Sequence, residues 1–196
     1  MNMKVEELQL VAQDSAHEVE IQKTAPGNEP RPSFCATNTS ADELFESGFA
    51  GARIDAGWIQ AWSARTVRAY STLAPSADVI GHDAVGGFFA CRLGDIRKGR
   101  VLYFSPEELA WEEMGVSYDE WLLWCLDGDH ETFYEGLRWK GWRKDVGSLK
   151  VGEAYSIYPF PFAEGPPIDE RSRKPVPIRE LWHLYVEEWQ TRLEDA

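Results

Sequence analysis

Two clusters in this chain set ionisable side chains at spacings that could do chemistry. His82 and Asp83 adjoin one another just ahead of Gly86–Gly87. An imidazole beside a carboxylate can act as an oriented base, and paired glycines let the backbone bend or approach another group closely. Arg138, in a basic stretch further along, could add a guanidinium to a pocket formed with them. No serine or cysteine is placed to act as a nucleophile, so no catalytic residue is assigned. The second cluster is Glu107, Glu108, Glu112 and Glu113. Paired carboxylates suit general acid–base work, but this run has no opposing base and reads better as a solvated face. Such a face could receive a cationic protein, because charge of one sign steers encounter and sets specificity.

Metal ligation has weaker support. His17, His82, His130 and His183 are dispersed and lack zinc-site spacing. Asp127, Asp129 and Glu131 alternate around Gly128, but without the ligand spacing of a calcium loop, and Asp129 is well placed to cap a helix. Cys35, Cys91 and Cys125 form no C-x-x-C pair; the last two sit in apolar patterns and read as small core residues. The basic island Arg171–Lys174 could hold a phosphate or neutralise a nearby acidic surface. No metal and no cofactor is expected.

Composition bounds the partners. The 196 residues suit one domain, with 43% hydrophobic and 13% aromatic content. The net charge of −13 disfavours nucleic acid and anionic membrane surfaces. With no run of ~18 apolar residues, no membrane span is expected. The first residues lack the pattern of a signal peptide, so a reducing cytoplasmic setting is the expectation. Charge and aromatics concentrate together: five of the nine tryptophans fall within Asp83–Trp142, and Ser105–Glu135 holds ten acidic residues and no lysine or arginine. Those rings are expected to fill the interior while the carboxylates decorate the outside. Trp124 is the exception, lying off the best apolar face of its helix, and it joins the four glutamates as a candidate binding residue.

The elements that must carry these residues are legible in parts. Residues 1–40 read as an irregular arm, with Val19 and Ile21 allowing a short strand and Thr24–Pro32 a linker. Residues 41–196 read as the folded domain. Ser40–Glu43 has the spacing of a capping box before a helical turn at Leu44–Phe49, and Gly57–Tyr70 suits either a helix or a strand and turn. Phe88–Leu93 and Val101–Phe104 predict a β-hairpin with a longer loop. Ser117 and Glu120 form a capping box for a helix whose apolar face is Tyr118, Trp121, Leu122 and Cys125. Gly128 ends it, and Asp129 caps a short helix through Phe133 and Leu137. A strand follows at Tyr155–Phe160, then a proline-rich crossing over Glu164–Pro177, and a C-terminal helix with Ile178, Leu181, Trp182, Tyr185 and Trp189 on one face. The fold class is therefore α+β: a mostly antiparallel sheet with helices packed on one side.

Several unusual strings in order mark a resemblance. Asp83–Ala90 (DAVGGFFA), Tyr103–Glu112 (YFSPEELAWE), Phe133–Tyr134, Leu137–Trp142 (LRWKGW), Tyr158–Phe160, and the later SR, PVP and ELW strings resemble the bacterial DUF2625 family, over about residues 81–182. The family supplies no catalytic residues to carry over. At a coarser level the order of motifs is similar to the SMI1/KNR4-like (SUKH) group, α+β proteins of which many bacterial members are immunity proteins that bind toxins. The expectation is a non-enzymatic cytoplasmic protein-binding module whose acidic surface meets a cationic partner, and the SUKH similarity implies an immunity-like role. The alternatives are a small-ligand binder or enzyme near His82, Asp83 and Arg138, and a structural homo-oligomer joined through Trp124 or Trp189. The oligomeric state is left open.

Overall fold

In the computed structural model, which describes residues 5–23, 49–62, 77–92 and 100–194, one antiparallel sheet takes its seven strands in chain order. They are β1 (Val19–Lys23), β2 (Phe49–Ile54), β3 (Ile59–Trp62), β4 (Ala77–Asp83), β5 (Phe88–Arg92), β6 (Val101–Ser105) and β7 (Ala110–Glu113). The predicted hairpin is the β5–β6 pair, with Phe88 opposite Phe104 and Phe89 opposite Tyr103. Leu93 and the loop after it lie outside the described residues. So do Cys35, the Thr24–Pro32 linker, the Ser40–Glu43 box, the turn residues 44–48, and residues 63–70 of the Gly57–Tyr70 span. The described start of that span is a strand and turn: Gly57 and Trp58 end the β2–β3 connection, and β3 follows.

Within the N-terminal region, the described residues 5–23 include a helix and a strand. Val5–Gln13 forms α1, which buries Leu8, and β1 pairs with β2 as an outer strand of the sheet. Leu8 enters the core and Val11 and Ala12 pack against it, so three residues at helical spacing tie down α1.

Side chains alternate across a strand, so neighbours on β5 report on opposite faces. Phe89 and Tyr103 meet Trp121 and Phe133. These come from α2 (Tyr118–Asp127) and α3 (His130–Phe133). Phe88 meets Trp182, and Phe104 meets Trp189, both from the C-terminal helix. Helices thus cover both faces of the sheet, where the sequence suggested one. Two apolar phenylalanines in succession on β5 are the local sign of a strand buried on both sides.

The capping box forms as expected. The Ser117 hydroxyl accepts from the Glu120 amide, and the Glu120 carboxylate accepts from the Ser117 amide at 2.8 Å. Trp121, Leu122 and Cys125 are buried. After α3 comes a short helix, α4 (Trp142–Gly147), in the basic stretch where no element was predicted. The strand expected at Tyr155–Phe160 is β8 (Glu153–Tyr158). The proline-rich crossing holds a second strand, β9 (Ser172–Pro177), paired with β8. Its prolines cost little because a two-stranded ribbon leaves outer edges that need no donor. The last helix, α5 (Ile178–Glu194), buries Ile178, Leu181, Trp182 and Tyr185.

Candidate functional site

The densest convergence of polar groups is built around Asp55, in the turn between β2 and β3. Asp55 and Ala56 have φ of 54° and 56°, and Gly57 follows at 90°. Two non-glycine residues in the left-handed region are uncommon and cost energy, so the surroundings must hold them there. They do: the Asp55 amide donates to the Glu18 carbonyl at 2.7 Å, and the Trp58 amide to the Asp55 carbonyl at 2.9 Å. The turn carries the Asp55 carboxylate inside, fully buried. One oxygen accepts from Arg143 Nη1 at 2.5 Å and the other from Arg138 Nη2. Burial alone would raise the carboxyl, but His130 and the two guanidiniums overcome it and hold the group well below the ordinary aspartate range.

Arg138 is itself caged by rings. Its guanidinium carbon lies 4.2 Å from the Trp142 ring centroid, 5.0 Å from Trp58 and 5.2 Å from Tyr134. Flat, weakly hydrated guanidinium suits such a cage better than ammonium would. Its Nη1 reaches the exposed Glu131 at 2.7 Å.

Two histidines complete the cluster. The His130 and His17 rings stack, with centroids 3.8 Å apart and planes 5° from parallel. His130 Nδ1 lies 3.4 Å from Asp55, and His17 Nδ1 lies 3.9 Å from it. Their Nε2 atoms meet the carbonyls of Trp124, at 3.2 Å, and Gly128, at 2.8 Å. A carbonyl only accepts, so both Nε2 atoms donate. Ser15 donates to the Leu126 carbonyl at 2.5 Å, and the Ala16 amide to Asp127 at 2.9 Å. The Gly128 amide donates to the Trp124 carbonyl at 2.7 Å, and the N-terminal segment adds donors for the Leu126 and Gly128 carbonyls, so the two together close the carbonyl end of α2.

The three donor atoms of His17, Asp55 and His130 lie within 4.8 Å of one another, which invites a metal. The geometry fits one poorly. A metal sits in the plane of each imidazole that binds it, and parallel stacked rings share no such point. Both carboxylate oxygens already accept from guanidiniums. The arrangement works as a neutralised latch between the N-terminal segment, the β2–β3 turn, α3 and α4.

His82 and Asp83 form a separate centre, fully buried at the β4–β5 turn. Asp83 accepts from the Val85 and Gly87 amides at 2.9 and 2.8 Å, and from the Tyr103 hydroxyl at 2.7 Å. Burial still raises its carboxyl above the ordinary value, outweighing those donors. His82 Nδ1 meets the Asp83 carbonyl at 2.9 Å, and burial lowers the ring to about 4. Gly87 cannot carry a side chain here, because a Cβ would stand 2.2 Å from Asp83 Oδ2. The proposed trio of His82, Asp83 and Arg138 is thus divided. The first two brace a turn, and Arg138 belongs to Asp55.

Glu107, Glu108, Glu112 and Glu113 are all exposed, on the β6–β7 turn and on β7, the last strand of the sheet. Ser105 Oγ accepts from the Glu107 and Glu108 amides, which shapes the turn. Beside it opens a cleft of about 360 Å³ that includes Glu107, Leu137, Pro166, Pro167, Ile168 and Arg171 in its lining. Trp124 is half-buried, its ring against Phe133 and His130 at 4.7 and 4.9 Å. Through His130 it touches the Asp55 cluster. Of the remaining candidates, Asp129 caps α3 through the Thr132 amide, and Glu131 pairs with Arg138. Arg171 and Arg173 donate to the carbonyls of Phe160 and Ile168, bracing their loop.

Asp55 escaped the sequence because its partners lie 75, 83 and 88 positions away. One local sign was present: Asp55-Ala56-Gly57 between two apolar runs has the composition of a left-handed turn.

A sequence model of the family described as protein of unknown function DUF2625 matches residues 45–181. YbfG, an uncharacterised protein of Escherichia coli K12, is 39% identical over 132 residues, which is 66% of this chain and 58% of that protein. An uncharacterised protein of Haemophilus influenzae is 35% identical over 107 residues, 53% of this chain and 47% of its own length. The chain thus spans about half the length of the curated relatives it matches.

Proposed function

Since the chain belongs to the DUF2625 family of proteins of unknown function, its role must be read from its own surface, and we propose a non-enzymatic, cytoplasmic protein-binding module. The observation that carries this is the acidic end of the sheet. Four exposed glutamates crowd one turn and one outer strand, in a chain of net charge −13. Charge there also keeps a sheet edge from pairing with other copies, a purely protective use. The adjoining cleft favours a partner, because protection alone needs no concavity. The partner is a basic protein, and neutralising a basic toxin, as the SUKH-like order of motifs suggests, is one such task. Among the described residues no helix is long and apolar enough to cross a membrane.

The test is a pull-down with immobilised wild-type protein and with E108K/E112K/E113K at matched thermal stability. A basic partner retained by the first and lost by the second is expected. Equal recovery removes this surface from consideration.

A second reading, a small-ligand or catalytic site, draws on one observation: two imidazoles and two guanidiniums converge on Asp55. Arg143 also lines an adjacent cavity of about 210 Å³ with Glu18, Glu20 and Arg53. Thermal-shift screening with metals and metabolites separates the two readings. Saturable stabilisation that disappears in His130→Ala would support this one.

A further inference from the structure

Resting on the acidic-face reading, we propose that the cleft beside Glu107 is a slot for one lysine side chain of the basic partner. Its volume, about 360 Å³, stands near the bottom of the usual range for ligand sites, roughly 300–1,000 Å³, and suits a single extended side chain. Pro166, Pro167, Leu137 and Ile168 offer apolar surface for four methylenes. Gly136 and Gly165 keep the walls free of further side chains.

The donor inventory bears on the charge of the occupant. Pro161, Pro166 and Pro167 have no backbone N–H, so these three residues offer an anion no amide. Arg171 is the cation on the lining, and its Nε and Nη1 hydrogens are engaged. Its Nε donates to the Pro166 carbonyl at 2.8 Å, and Nη1 donates to Phe160 and Pro159 at 2.7 and 3.2 Å. Glu107 is the carboxylate on the lining, and among the described residues no salt bridge joins it to Arg171. Partial covering by the cleft and then Glu108 raise its carboxyl above the ordinary value, against the pull of Arg171. An ammonium seated there would relieve that destabilisation. The methylene stem would lie on the prolines, as lysine stems commonly lie along apolar surface.

The probes are three blocked amino acids, Nα-acetyl-N-methylamides of lysine, norleucine and glutamate, followed by amide chemical-shift mapping. Lysine should shift Gly136, Leu137, Gly165 and Ile168 saturably, with norleucine at least tenfold weaker and Glu107→Gln abolishing the difference. Equal shifts from lysine and norleucine, or a preference for glutamate through Arg171, overturn the slot. So does mapping to another region. A lysine-rich decapeptide separates this from the parent reading. If E108K/E112K/E113K loses the peptide while E107Q retains it fully, the acidic face stands and the slot falls. If E107Q loses it and the triple variant does not, the slot stands and the wider face falls.

Discussion

At the scale of single residues, Asp55 dominates. Among the described residues both Arg138 and Arg143 reach its buried carboxylate and the exposed Glu131, and removing one member of a buried ion pair typically costs about 3–5 kcal/mol. Asp55→Asn should lower the urea midpoint accordingly, with Arg143, partly exposed, placing the loss toward the lower figure. The pH dependence has a definite sign. A depressed folded-state carboxyl contributes stability that is complete above the ordinary aspartate value of 3.8 and is lost as pH falls below it. Wild type should therefore weaken in that acid range more steeply than the asparagine variant, as read by urea melts at successive pH. His82 acts in a different window. Its ring is lowered from 6.5 to about 4 by burial, so the unfolded chain binds the proton first. Stability is full above about pH 6.5 and falls as pH drops toward 4, by about 3 kcal/mol in total. His82→Gln should flatten that segment of the profile.

At the scale of elements, local signals were read well and distant ones were not. Ser117 and Glu120 declare a helix start within four residues, and the capping box is there. Ser117→Ala should cost about 1 kcal/mol, seen as a lowered melting temperature without change in helix content at low temperature. The β5–β6 pair was equally legible, because Phe88–Arg92 and Val101–Ser105 carry strand residues between clear breakers. By contrast, α4 hides in a basic stretch with two tryptophans, and β9 hides among prolines that ordinarily argue against a strand. Helices on both faces escaped notice because Trp182 and Trp121 announce their own amphipathic stripes but not which side of β5 each will meet. Nor could any window of sequence bring His17 against His130. That contact depends on β1 pairing with β2 across a gap of more than two dozen residues.

The whole molecule carries a net charge of −13, and its field should matter more to association rate than to fold. Stopped-flow binding of the lysine-rich decapeptide should slow as sodium chloride rises, while its dissociation rate changes little. A rate indifferent to salt would point to recognition by shape, with the glutamates serving only to protect the sheet edge. Trp124 and Trp189, considered as contacts between copies, are each half-covered by their own chain. Light scattering over a range of concentrations measures whether what remains exposed suffices for self-association.

The span shared with the family begins at residue 45 and ends at 181, and the β1–β2 pairing makes that boundary a poor place to cut. A fragment trimmed to it would leave β2 with a naked hydrogen-bonding flank. It would also lose the serine and imidazole that seal the far end of α2, and the Tyr185 hydroxyl that holds the Val85 carbonyl at 3.1 Å. Such a piece should come out of expression in inclusion bodies. Anyone dissecting related proteins should therefore carry along the poorly matched residues on either side, because the recognisable portion leans on them.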